Sequence, residues 1–489
     1  MSGIYILLTI VIYFSVLLVV ARLTSKETGN DAFFRGNKKS PWYVVSFGMI
    51  GTSLSGVTFV SVPGMVRGMD MTYMQTVIGF FFGYLVIARV LLPLYYKLNL
   101  TSIYTYLGER IGRYSYKTGA SFFLLSRMVG AAARLYLVCL ILQTYVFDGM
   151  NIPFALTVSC IVFLIWFYTR RSGIRTIVWT DTLQTFCLLA ALGLIIYQVV
   201  MAFDTGFGGI ARMVIDDSHS RIFVFDDWQS KQNFFKQFIS GIFITIVMTG
   251  LDQDMMQKNL SCRNLREAQK NMYCYGFSFV PVNFLFLCLG VLLLALAGNK
   301  GIGLPVLNDD ILPMFAAQGY LGFPVLIFFT IGIIAATFSS ADSALTALTT
   351  SFCIDILEVN RMSEKEAVKK RHYTHFLLSV VFVLFILFFR VVNNKSIIDA
   401  IYTIASYTYG PLLGLFAFGL FTRLNPRDRY VPWVAVSSPF ICFALDYWVS
   451  ACTGYKFGYE MLMINGLITF SGLVLLSFQN KKKIVYGNS

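Results

Sequence analysis

Apolar residues along this chain gather in long blocks divided by short polar pieces. About 20 apolar residues cross the hydrocarbon core of a bilayer as a helix, so each block reads as a membrane span. Thirteen spans are predicted: 3–22, 43–66, 72–96, 119–147, 152–169, 177–202, 234–252, 272–298, 322–354, 373–393, 397–422, 430–450 and 458–478. The first resembles a secretion signal only in length. No basic stretch precedes it and no small-x-small cleavage site follows, so it counts as span one. The expected fold class is an all-α polytopic membrane protein with 13 transmembrane helices, a single transmembrane domain over 1–489.

The connections alternate in charge. One set carries clusters such as Arg22, Lys26, Arg35, Lys38 and Lys39, then Arg170, Arg171 and Arg175, then Lys258, Arg263, Arg266 and Lys270, and finally Lys481, Lys482 and Lys483. The other set holds only scattered bases, among them Arg67, Arg212, Lys300 and Lys456. Basic connections stay on the cytoplasmic side. The expected topology therefore has the N-terminus outside and the C-terminus inside, multi-pass in a plasma membrane (the inner membrane of a Gram-negative cell). The longest outer connection, 203–233, carries Asp204, Asp216, Asp217, Asp226 and Asp227 and has room for a short interfacial helix.

Composition sharpens this picture. Of 489 residues, 57% are hydrophobic and 13% charged, where a soluble domain carries roughly 25% charged residues. A soluble enzyme and a nucleic-acid module are excluded, and the net charge of +14 belongs to the loops. The nine cysteines show neither CxxC nor zinc-finger spacing. There is no phosphate-binding Walker loop and no HExxH. His372 and His375 have a ligand-like spacing, but they fall in a basic segment and read as a solvated helix start. Asn394-Lys395-Ser396 is an outward glycosylation sequon.

Ionisable residues inside spans are candidates for function, because a bilayer interior penalises them. Arg89 and Asp446 lie near enough to span ends to reach the interface. Asp181 stands near the inner end of span six, and Arg127 and Arg134 share one face of span four at a spacing of seven. A structural pair with Asp181 or with backbone carbonyls is one reading of these arginines. Capture of a substrate carboxylate is the other, since a guanidinium fork matches that shape. In span nine Ser339, Asp342 and Ser343 fall on one face. Small hydroxyl residues serve helix packing by default, yet packing does not account for Asp342. Hydroxyls beside a carboxylate make a hard-oxygen wall suited to a hard cation. Span two reads Gly48-Met49-Ile50-Gly51-Thr52-Ser53-Leu54-Ser55-Gly56, which predicts a helix broken inside the membrane. Thr249-Gly250-Leu251-Asp252 predicts a similar break in span seven. Such breaks are tolerated around cavities, where freed carbonyls coordinate cations.

These stretches resemble the sodium:solute symporter family. The resemblance rests on Gly51 to Thr58, Trp179-Thr180-Asp181-x-x-Gln184, Gly250-Leu251-Asp252-Gln253-Asp254-Met255-Met256-Gln257, Ala336 to Asp355, and Gly410-Pro411-Leu412-Leu413-Gly414 with Gly419-Leu420-Phe421. It implies a LeuT-type core of two inverted five-span repeats, 43–202 and 234–422, after a first helix and inner loop (1–42) and before two extra helices and a tail (430–489). It implies sodium bound by the carbonyls of Gly51, Leu54 and Ala336 and the hydroxyls of Ser339 and Ser340. A second sodium in some members would involve Asp181, Ser339, Asp342 and Ser343 here, with Asp342 replacing a hydroxyl residue. The solute contacts implied are Ser53, Ser55, Thr58, Gln75, Arg134, Thr245, Met248, Thr249 and Tyr402. Met248 and Thr249 stand where sugar pockets of the family carry bulkier groups, which favours a polar or acidic solute.

The reading is sodium-coupled symport of a small organic solute, such as an acidic sugar or amino acid, by alternating access. Sodium is the co-transported ion, no cofactor is expected, and the protein is expected to work as a monomer in the bilayer without nucleic acid. The alternatives are a proton-coupled symporter of the same fold, or a substrate-gated sensor or channel, which would call for a signalling domain larger than the tail after Gln479. A membrane-embedded enzyme would need a catalytic set at one depth, which the spans do not offer.

Overall fold

The computed structural model describes residues 2–24, 30–170, 173–203, 205–392 and 397–486. Among them every regular element is a helix, and no strand forms. Within a membrane this is the expected economy of a chain whose backbone groups must pair inside each segment. Among the described residues nine helices are long and apolar enough to cross a membrane, or up to 11 if each of two bent pairs is one span. A helix occupies each of the thirteen predicted stretches. The smaller number has two sources. Gly56–Lys97 forms one 42-residue helical stretch, although Asp70 turns its backbone with φ 54°. Phe154–Thr169 is only 16 residues long. The outer connection contains the expected short helix, Phe207–Asp216. The sequon lies outside the described residues.

Three interruptions shape the interior. In span two the helix Trp42–Ser53 stops at Leu54 (ψ 72°) and restarts as Gly56–Met69 after an extended Ser55. Glycine permits this crossing. A Cβ on Gly51 would run into the Thr185 side chain, and one on Gly56 into Thr337 and Val138. In span seven Phe234–Gly250 and Gln253–Leu260 meet at 65°. Here the sequence reading needs correcting: it ends the span at 252 and puts Lys258 in a cytoplasmic loop. The helix after the break remains buried, Lys258 included at 0% exposure. Its charges are neutralised by partners within the protein rather than by water, so a hydropathy reading stops too soon. Carbonyls freed at the break are used as well. Tyr95 donates to Gly250 O and Tyr104 to Leu251 O, each at 2.9 Å. In span eleven, Ile401–Thr408 and Gly410–Phe421 meet at 43° beside Pro411.

His375 also departs from its expected place. It is buried between Thr169 (2.9 Å) and Thr349 (2.8 Å), so it joins three helices as a core residue rather than facing solvent. Among the described residues no group of His, Cys, Asp or Glu is arranged to hold a metal. At the end of span nine Glu358 gathers Lys117 (2.8 Å), Arg113 (3.2 Å) and Arg361 (3.0 Å). The hydrogen bond and charge of Lys117 hold its carboxyl below the ordinary range.

Candidate functional site

The break in span two faces span nine. Ser340, on the helix Phe323–Ser351, donates to Thr52 O and to Ala336 O, both at 3.1 Å. Ser339 donates to Asp181 Oδ1 at 2.7 Å and lies 3.2 Å from the Thr52 hydroxyl. Leu54 ends the first half-helix, and the Gly51 amide donates to Thr185 Oγ1 at 3.1 Å. Ser339 and Ser340 thus lie against Thr52, between Gly51 and Leu54 in sequence, while the carbonyl of Ala336 accepts from Ser340. The resulting oxygen-rich seam needs a bound cation or internal hydrogen bonds to satisfy it.

Next to it is a second polar cluster. Lys258 Nζ donates to Thr52 Oγ1 (2.5 Å), Asp181 Oδ2 (2.7 Å) and Ser343 Oγ (2.8 Å), and lies 3.9 Å from Asp254 Oδ1. Gln184 donates to Asp181 Oδ1 at 3.2 Å once its amide is turned to fit the network. Asp342 is directed elsewhere. Its carboxylate accepts from Tyr168 OH (2.6 Å) and from the Ser343 amide (2.5 Å). The four residues suggested for a second sodium therefore divide: Asp181, Ser339 and Ser343 share one network, while Asp342 is held by span five.

Arg127 is buried, pairs with Asp254 and lies 3.7 Å from Asp252. Asp252 caps the half-helix Gln253–Leu260 by accepting from the amides of Asp254 (2.9 Å) and Met255 (3.4 Å), and accepts from Tyr409 OH at 2.6 Å. Arg127 thus holds the break in span seven and does not reach Asp181. Arg134, on the same face, is only half-buried and has no hydrogen bond or ion pair among the described residues.

Arg134 opens onto a cavity of about 90 Å³. Ser53, Ser55, Thr58, Thr245, Met248, Thr249 and Tyr402 line it too. Gln75 does not. It is fully buried, donates to Gln232 O at 2.8 Å and accepts from the Val224 amide at 3.1 Å, which pins the outer connection to span three. The sequence reading missed the aromatic walls Phe80, Tyr84 and Phe279. It also missed Tyr275, which meets both Ser53 (2.5 Å) and Tyr84 (2.8 Å). No motif flags these aromatics among the chain's 46 phenylalanines and 27 tyrosines. Lys258 carried a signal, because Asp254 and Lys258 are spaced i, i+4 on a helix.

The arrangement defines a helical membrane protein with broken spans around a polar, cationic cavity and an oxygen-rich seam. The family model for the sodium:solute symporter family matches residues 33–427, and the chain belongs to that family. It is accordingly a sodium-coupled solute symporter, a transporter and not an enzyme. Among its relatives, the sodium/sialic acid symporter NanT of Aliivibrio fischeri is 27% identical, over 91% of this chain and 88% of that protein. The sodium/sialic acid symporter SiaT of Proteus mirabilis is 24% identical, over 86% of each. A solved sodium-coupled sialic acid symporter, substrate-bound and outward-open, superposes with a TM-score of 0.83 over 98% of each chain at 21% identity, a likeness of fold.

Proposed function

We propose that this symporter takes up a small carboxylate-bearing solute, an acidic sugar or related acid, and that Arg134 holds the carboxylate. The carrying observation is a guanidinium without a protein partner among the described residues, facing a hydroxyl-lined cavity. An unpaired arginine at membrane depth costs at least about 2.5–3.5 kcal/mol on insertion scales. A bidentate carboxylate offsets that cost and fixes the solute's orientation, with Ser53, Ser55 and Thr58 presenting hydroxyls to the rest of it. Two relatives are named for sialic acid, which supports an acidic substrate.

In this reading sodium binds first at the seam, to the carbonyls of Gly51, Leu54 and Ala336 and the hydroxyls of Ser339 and Ser340, and ties span two to span nine. Solute then enters, the core rocks, and loosened ligation inside releases both. The core is two inverted five-span repeats within thirteen spans, N-terminus outside and C-terminus inside a plasma membrane. The breaks in spans two and seven, each opening one block, support that symmetry. A charge moving inward gains about 2.3 kcal/mol per 100 mV, and each ~1.4 kcal/mol is a tenfold gradient. The test is uptake of labelled acidic sugars and monocarboxylates into proteoliposomes, in sodium and in choline, across pH. Sodium-dependent uptake of an acid, outcompeted by acids and not by neutral sugars, is expected. Equal competition by neutral sugars overturns the carboxylate assignment.

A further inference from the structure

We propose that the Lys258 ammonium is a tethered cation filling the second ion position of this transporter, so that the chain binds a single free sodium. The inference rests on the seam assigned above to the first sodium, and extends it to the neighbouring cluster. Three observations carry it. First, the ammonium lies within hydrogen-bond distance of three oxygens, the Asp181 carboxylate and the hydroxyls of Thr52 and Ser343, with a second carboxylate from Asp254 at 3.9 Å. A hard monovalent cation would ask for the same donors at the same place. Second, the group is wholly buried, as are Asp181, Ser339 and Ser343, so this is an interior ion position and not a surface pair. Third, the remaining carboxylate of the region, Asp342, is directed to Tyr168 and the Ser343 amide, and does not complete a cage around a further ion.

The chemistry follows from charge. The lysine brings one fixed positive charge to Asp181, the charge a sodium ion would bring. A second sodium entering beside it would meet an ammonium at contact distance in a buried site, where like charges are less screened than in water and repel more strongly. Replacing a diffusible ion with a side chain removes the concentration dependence of that position. It also ties the occupation of that position to the half-helix Gln253–Leu260 that carries Lys258.

Equilibrium binding of radiolabelled sodium to the purified full chain tests this without any solute. Wild-type protein should saturate at one sodium per chain, with a hyperbolic isotherm. Lys258→Ala should gain one sodium and a sigmoidal isotherm. Lys258→Arg should gain none, and Lys258→Ala with Asp181→Asn should return to the wild-type number. A purely structural lysine would not change the number in this pattern. Two sodium ions on the wild type overturn the proposal, as does an unchanged number in a Lys258→Ala protein whose melting profile shows it folded. If Lys258→Ala does not fold, Ser340→Ala answers the question in a chain that keeps its lysine. Sodium binding should then be at least tenfold weaker with no residual high-affinity site, and loss of one of two sodium ions, with the other keeping its affinity, overturns the proposal. Failure of the first-sodium reading looks different: Ser340→Ala and wild type then bind alike, while Lys258→Ala still gains an ion.

Discussion

Ser340 Oγ lies 3.1 Å from the Thr52 carbonyl and donates to it, so one hydroxyl closes span nine onto the last turn of the helix Trp42–Ser53, just before the break in span two. Burial of Ser340 among neighbours already engaged leaves few ways to replace that oxygen. Hydrogen bonds and ligation to charged groups are worth roughly 1.5–3 kcal/mol. Ser340→Ala should therefore raise the sodium concentration for half-maximal uptake about tenfold or more, with normal expression. Sodium titration of initial uptake rates checks it, and an unchanged half-saturation removes Ser340 from the sodium site.

Arg134 faces the cavity with no protein partner among the described residues. Removing one member of a buried charge pair costs about 2–5 kcal/mol of binding, so Arg134→Ala should reduce affinity for an acidic solute by 30-fold or more. Arg134→Lys should recover only part of it, because a point charge does not reproduce the planar fork. Competition assays against the labelled acid read both variants. Normal transport in Arg134→Ala would return this residue to a structural role.

Arg127 behaves differently because its partners are permanent. Arg127→Leu strands the Asp252 and Asp254 carboxylates in the interior. Breaking a buried pair in this way destabilises by roughly 3–5 kcal/mol. The expected result is a clear drop in the melting temperature of the purified protein. Adding Asp254→Asn should restore part of the loss. If Arg127→Leu melts like wild type, the pair does not hold the break.

Gly51→Ala should be severely destabilising, since its Cβ would collide with the Thr185 side chain. Overpacking of this kind typically costs about 1–3 kcal/mol. Thr185→Ala should relieve part of it, although it removes the acceptor of the Gly51 amide as well. The four proteins of this cycle, compared by thermal unfolding, give the coupling directly. Additive effects would place the clash elsewhere.

Much of this architecture is legible from hydropathy alone, because a helix long enough to cross lipid must be apolar over its whole length. The break in span two is equally legible, since Gly51, Gly56 and the hydroxyls between them suit no continuous lipid-facing helix. Most of the solute candidates line one cavity because the broken spans and span four converge there. Gln75 shows the limit: an amide near a span end serves a cavity or a loop equally well, and only the path of 203–233 decides. Lys258 shows another. A lysine after a hydrophobic run reads as a loop residue unless its acidic partners, contributed from 77 positions upstream at Asp181 and from the same half-helix at Asp254, are known to meet it. His375 was misplaced for the same reason, because its threonine partners come from two other spans.

Tyr409 stands at the bend of span eleven, and its hydroxyl holds Asp252 at the break of span seven, 2.6 Å away. Two hinges joined at their pivots are geared. If the inner half of span seven swings, it either drags the corner of span eleven with it or snaps this one bond. The bond thus sets whether the two helices turn as a linked crank or as separate doors. Tyr409→Phe would uncouple them without altering the shape of either.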